Sequence, residues 1–287
     1  MFTLKESVTG AVQILVDTLM CEKPEGETTG FPEFDNLTRG MRRGCLTVLV
    51  SPPAQGKTAF ALNIANHLIG KDPAVPVLYC STHGHTELAF RLLTIASGAD
   101  CSYDTDHGSE GLKRLTEVVT KVADCPLFFM DSRSTDEAFY GELAERQAEK
   151  HFGLVIVDPA RMEHLPRLKK LAQDLDVPIL ALVSVEKRDT HIPELDLADA
   201  AISLSRDRMK AKFDDGTVPV TFVVIGNRFG MRGTCRMSFA PETMRFAEDR
   251  DESEPGSWGE KISFWQKILD RITGSRKKTR DQTVLRN

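Results

Sequence analysis

Apolar positions along the chain change their period several times, and each change marks an element. Over residues 4–20, Leu4, Val8, Ala11, Val12, Leu15 and Leu19 recur at the spacing of one helical face, which predicts an amphipathic helix. CEKPEGETTG (21–30) interrupts that pattern with Pro24, Gly26 and Gly30 and reads as a tether. Residues 1–28 thus form a separable unit, packed either on its own domain or on a neighbouring subunit. From Gly30 to about Phe246, short apolar runs alternate with helical segments. The runs 46–50, 77–81, 127–130, 154–157, 179–183 and 200–204 are nearly continuous, as parallel strands covered on both faces require. Segments 57–69, 87–97, 111–123, 136–150 and 165–175 read as helices between them. The alternation predicts an α/β fold over 29–247, a mainly parallel sheet flanked by helices. After Val220 the texture becomes strand-rich and punctuated by Gly and Pro, which predicts hairpins forming an antiparallel edge. Residues 248–287 are a tail: an acidic, Pro- and Gly-containing linker, then a short amphipathic helix over 261–273 and the basic run RKKTR at 276–280.

Composition narrows the class without deciding it. A chain of 287 residues with 41% apolar and 28% charged side chains is long enough to bury one large core. No apolar run approaches the roughly 18 residues of a membrane span, and the N-terminus has no basic segment leading into an apolar block. Six scattered cysteines without a C-x-x-C pair read as reduced thiols of a cytoplasmic protein. His67, His107, His151, His164 and His191 have no metal-ligand spacing, so no structural metal is expected. Net charge is −5, against general nucleic-acid binding, yet residues 261–287 carry eight Lys or Arg and only two Asp or Glu. That tail has two uses: packing on the core, or docking on a protein, nucleic acid or anionic surface.

The chemistry begins at SPPAQGKT (51–58), which follows a predicted strand and opens a predicted helix. This is the context that a phosphate-binding loop requires. Ser51, Ala54, Gln55 and Gly56 form the cradle, with glycine allowing close backbone approach and the helix N-terminus aiming N–H donors at an anion. Lys57 adds a mobile cation for the β- and γ-phosphates, and the Thr58 hydroxyl suits Mg²⁺. Asp158 ends the apolar run of HFGLVIVDP, where a carboxylate at the strand's C-terminal end stands beside the loop and can hold the same Mg²⁺. Nucleotide binding, with ATP and Mg²⁺ as ligands, is the expectation.

With these residues placed, the chain resembles the C-terminal RecA-like ATPase domain of DnaB-type replicative DNA helicases. TGFPEFDNLTRGMRRGCLTVLVSPPAQGKTAFALNIA (29–65), VLYCS with ELAFRLL, GLVIVD, LKKLAQDLDVPILALVS, ADAAISLSRD and VVIGNRFGMRGTCRMSFAPETMRF match it in order over roughly 29–247. The resemblance implies a homo-oligomeric ring, a hexamer in this family, with ATP at subunit interfaces and single-stranded DNA in the channel. It also implies an arginine finger supplied in trans, a position that Arg228 occupies, and it makes helix 4–20 the counterpart of the linker helix that packs on the adjacent subunit. Four features depart from the pattern: three residues and the pair of channel loops. His83 stands where the family has its glutamate base, with His85 and Glu87 nearby; histidine is a weak general base when neutral. Val185 replaces the glutamine sensor and Gly226 a trans lysine, and the two channel loops, after Asp158 and after Arg188, are short. Three readings follow: a divergent ATP-binding member with weakened hydrolysis acting through assembly or partner contact, an active DNA-stimulated ATPase, or another RecA-like ATPase acting on protein or in recombination.

Overall fold

A computed structural model describes residues 26–99, 108–133, 137–185, 193–206 and 216–248. The helix expected over 4–20, the tail helix 261–273 with its basic run 276–280, and Arg188 lie outside the described residues.

Nine strands form one sheet in the order β3-β2-β4-β5-β1-β6-β7-β8-β9. Six of them are parallel: β1 (Leu46–Ser51), β2 (Val77–Ser81), β3 (Leu127–Asp131), β4 (Leu154–Ala160), β5 (Ile179–Ser184) and β6 (Ala200–Arg206). Then β7 (Val218–Asn227), β8 (Gly233–Ala240) and β9 (Arg245–Glu248) continue antiparallel from β6. Every residue of β1 and β2 is buried, whereas β7 and β8 alternate between buried and accessible positions. This is the difference expected between a strand covered on both faces and one covered on a single face. Along β1 the period-two rule sends Leu46, Val48 and Val50 to one core and Leu49 to the other.

The helices are α1 (Pro32–Thr38), α2 (Lys57–Ile69), α3 (His85–Ser97), α4 (Gly108–Ala123), α5 (Glu137–Lys150) and α6 (Leu165–Asp174). Residues of α1, α2 and α3 share a core with the antiparallel strands, while α5 and α6 pack on the opposite face of the sheet. Phe60 on α2 is the centre of the first core. Its ring meets Phe31 at 5.2 Å, Phe34 at 5.3 Å, Phe222 at 4.4 Å and Phe246 at 5.3 Å. These contacts tie the helix that follows the phosphate loop to α1, β7 and β9 at once. Aromatic burial of this size contributes both area and edge-to-face geometry.

The sequence reading missed α1. Its start carries Pro32 at the first turn, which favours helix initiation, but the helix Pro32–Thr38 is only seven residues long. Burial of Phe34 and a carboxylate, Asp35, holds it instead. Asp35 accepts bonds from Thr29 N at 3.0 Å and Thr29 Oγ1 at 2.8 Å, closing the chain's approach to the sheet.

Burial pushes the Asp35 carboxyl up to about 6 from 3.8, despite the opposing hydrogen bonds from Thr29. The folded state therefore keeps a proton that the unfolded chain has lost, so Asp35 favours folding most below about pH 4 and progressively less as pH rises through 6. Asp35→Asn removes that slope. In denaturant titrations at pH 4.5 and 7, the stability gap between variant and natural chain should move in the variant's favour by on the order of 2 kcal/mol on going to pH 7.

Candidate nucleotide site

The C-terminal ends of the parallel strands lie level. Ser51 pairs with Ser184 across β1 and β5, and Ser81 pairs with both Asp158 and Asp131 across β4 and β3. The loop leaving β1 opens onto this edge, where α/β sheets bind ligands. Asp158 lies two strands away from β1, a lateral gap of about 10 Å. The start of α2 closes that gap: Thr58 Oγ1 donates to Asp158 Oδ2 at 2.7 Å.

The loop turns through two left-handed residues, Ala54 (φ 60°) and Gly56 (φ 109°), the latter capping α2. Such turns point successive amides into one concavity, an anion nest at a helix N-terminus. A Cβ at Gly56 would stand 3.3 Å from Phe246 Cζ, so the aromatic core presses on the loop from behind. Lys57 is buried and folds back over the loop, its Nζ donating to Ser51 O at 3.0 Å, Ser51 Oγ at 3.0 Å and Pro52 O at 3.2 Å. Burial lowers its pKa, and the nearby Asp158 charge works in the other direction.

A cavity of about 420 Å³ opens above the loop, walled by Lys57, Thr58 and Asp158, with His83 and Arg91 on one side and Arg206 on the other. Arg206 lies 5.2 Å over the Phe239 ring, and its buried Nε has no hydrogen-bond partner among the described residues. A guanidinium above an aromatic ring at the cavity wall is a surface on which a base can stack. The hard oxygen donors of Thr58 and Asp158, side by side at the cavity floor, fit Mg²⁺.

Most of the residues singled out in the sequence meet here. Ala54, Gly56, Lys57, Thr58, Asp158 and His83 line the cavity. Ser51 acts from beneath, through Lys57, and Gln55 turns aside to accept Arg206 N at 2.9 Å. His83 Nδ1 stands 3.7 Å from Glu87 Oε2, and Glu87 Oε1 accepts from Arg91 at 2.5 Å. His85 instead lines a neighbouring cavity of about 560 Å³ between β2, β3 and α3. Val185 donates its amide to Ser51 O at 3.1 Å and packs its side chain against the core.

Arg228 is not among them. Its amide donates to Asp199 O at 2.8 Å, and the Asp199 carboxylate accepts from Leu46 N at 2.8 Å, at the opposite end of β1 from the loop. A six-residue strand separates the two ends by about 16 Å. Asp199 also pairs with Lys169 and lies 3.9 Å from Arg228 Nε, so one buried carboxylate anchors that end.

Sequence reasoning missed Tyr79, Arg91, Arg206 and Asp199. Only Tyr79 left a legible signal: a phenol inside an otherwise apolar strand must find a polar partner.

Sheet order, loop and carboxylate together define a P-loop NTPase fold of the RecA-like class. The chain matches the DnaB-like helicase C terminal domain over residues 26–248 and belongs to that family. It is 26% identical over 291 residues to the replicative DNA helicase DnaB of Geobacillus stearothermophilus, covering 85% of this chain and 64% of that protein. To the replicative DNA helicase DnaB of Rhodothermus marinus it is 29% identical over 253 residues, covering 78% of this chain and 26% of that one. It therefore spans less than two thirds of the length of these relatives. The same fold recurs in the ATPase domain of G40P, with TM-score 0.70 and 21% identity over 86% of this chain and 99% of that one. It recurs also in a DnaB-like replicative helicase whose structure was described with its interactions with primase, with TM-score 0.72 and 21% identity over 86% of this chain and 67% of that one.

Gly56→Ala places a side chain in the left-handed region and against Phe246, and should cost about 1–3 kcal/mol in chemical denaturation. Gly84→Ala is the control, because a Cβ there meets nothing within 4 Å and the backbone has φ −61°; its stability should stay within about 0.5 kcal/mol of the natural chain.

Proposed function

We propose that this domain binds Mg²⁺·ATP in the loop cavity and uses it chiefly to control assembly or partner contact, with hydrolysis and DNA translocation weakened. The observation that carries this reading is the intact Lys57–Thr58–Asp158 constellation beside an apolar Val185. Lys57 has three donors on a pivoting stem and exchanges loop oxygens for phosphate oxygens. Thr58 and Asp158 hold the cation, which when bound neutralises phosphate charge. Arg206 stacks the base. Valine has no group to hydrogen-bond a γ-phosphate, so nucleotide state is sensed weakly. His83 is the cavity's nearest general base, a weaker one than a carboxylate fixed in its ionised form.

Arg228 supports a ring. It lies a full strand length from its own cavity, so it serves a phosphate only in a neighbouring copy, docked head to tail. Repetition of one such heterologous contact closes a ring when the rotation allows, and six copies is the number the family resemblance implies. Weak DNA grip is supported by the tight connection after Asp158, where β4 ends at Ala160 and a 3₁₀ turn (Met162–His164) leads straight into α6. Such a connection leaves little room for the phosphate contacts on which DNA affinity depends. None of the four described cysteines forms a disulfide, and no helix among the described residues is long and apolar enough to cross a membrane; we place the protein in the cytoplasm. Helix 4–20 and the segment 261–280 are the proposed partner-docking elements.

One observation favours a second reading, an active DNA-stimulated ATPase. The Glu87 carboxylate 3.7 Å behind His83 can stabilise the imidazolium formed when His83 accepts a proton from water. Steady-state ATPase assays with and without single-stranded DNA separate the two. The proposal predicts slow turnover that DNA does not stimulate, abolished by Lys57→Ala and raised by His83→Glu. Robust DNA-stimulated turnover would select the second reading. Light scattering should give the mass of a closed ring in Mg²⁺·ATP, and a strict monomer would remove the trans role of Arg228.

A further inference from the structure

Tyr79 lies in the middle of β2, paired with Ile156 of β4, and is fully buried. Its ring stands 6.4 Å from Phe129 in the core that α2 and α3 cover. A phenol hydroxyl in such surroundings is costly unless bonded. It donates to Asp158 Oδ2 at 2.9 Å, the same oxygen that accepts from Thr58 Oγ1 at 2.7 Å. Among the described residues no hydrogen bond falls on Asp158 Oδ1, and the carboxylate borders the nucleotide cavity. The carboxylate is thus clamped from two sides, by α2 through Thr58 and by the core through Tyr79. The two clamps differ in one respect. Thr58 lines the cavity at the start of α2, whereas Tyr79 sits in a strand whose every residue is buried.

We infer that Tyr79 is a positioning residue for the divalent cation: its hydroxyl fixes Asp158 Oδ2 from the core side, so that the other carboxylate oxygen is held ready for the cation or its water shell. Groups one step behind a metal ligand orient it, and their loss typically weakens metal affinity by about 10- to 100-fold. The inference rests on the proposed Mg²⁺·ATP reading and deepens it.

The test is titration of a fluorescent ATP analogue against the full chain, in EDTA and across Mg²⁺ concentrations. Tyr79→Phe keeps the ring and removes only the hydroxyl. It should raise the half-saturating Mg²⁺ concentration on the order of tenfold while leaving affinity in EDTA unchanged. Tyr140→Phe, on the opposite face of the sheet with Arg167 4.0 Å over its ring, should leave both unchanged. An unmoved Mg²⁺ curve in Tyr79→Phe would overturn the inference, as would an equal loss in EDTA, which signals a general packing role. If the natural chain binds the analogue with no Mg²⁺ dependence, or not at all, the proposed function itself fails. A measurement on the double variant Tyr103→Phe/Tyr140→Phe, in which Tyr79 is the remaining tyrosine, needs no change at position 79: Mg²⁺ added to the ATP-bound protein should perturb tyrosine absorbance, and a silent difference spectrum contradicts a phenol coupled to the cation site.

Discussion

A carboxylate with only 5% of its surface exposed cannot stand in a protein interior without donors, and Asp158 draws its donors from two elements besides its own strand. Thr58 brings the first turn of α2 to it, and Tyr79 brings the centre of β2. The requirement to satisfy one charge therefore fixes the start of α2 relative to β2, the next strand in the chain, and to β4, a distant one. Phe60, two residues beyond Thr58, locks the same helix from the other side by inserting among Phe31, Phe34, Phe222 and Phe246. Between these two constraints the loop 51–56 has little freedom, and a side chain at Gly56 would be strained by the left-handed turn and crowded by Phe246.

The sheet has two chemically distinct ends. At one, Lys57, Thr58, Asp158 and Arg206 surround a cavity; at the other, the buried Asp199 carboxylate gathers Lys169, the amide of Leu46 and the backbone and side chain of Arg228. A cation held at the far end of the molecule from the anion site makes sense in a head-to-tail assembly, where one copy's far end meets the next copy's cavity. The two groups of cavity residues also differ in how firmly they are held. The cradle is welded into the core, whereas His83, Glu87 and Arg91 form an accessible ladder at the start of α3 that packs on little.

The six parallel strands were legible because each leaves a nearly uninterrupted apolar run, which cover on both faces requires of the inner five and which the partly buried edge strand β3 shares; observed and expected bounds differ by at most three residues, the largest difference being at β4, which continues through Asp158 to Ala160. The loop and Asp158 were legible because strand–loop–helix context and a strand-end carboxylate are local patterns. Arg206 and Asp199 were not. Their roles depend on which strands become neighbours, and β6 lies beside β1 only through a sheet order that no local pattern encodes. Helix α1 was missed for a related reason: seven residues with a buried Asp35 carry no helical period, and its stability comes from Phe60 and Thr29, distant or irregular partners. Arg228 was picked out by resemblance alone, and it lies beside Asp199, at the opposite end of β1 from the loop.

The account's central claim is that Lys57, Thr58 and Asp158 form a working nucleotide site. The most direct measurement is isothermal calorimetry of the natural chain and of Lys57→Ala with ATP in excess Mg²⁺. The account predicts saturable binding at one site per chain in the natural protein and its loss in a Lys57→Ala variant that remains folded by circular dichroism. Absence of binding to the natural chain, or binding that survives Lys57→Ala undiminished, would contradict it.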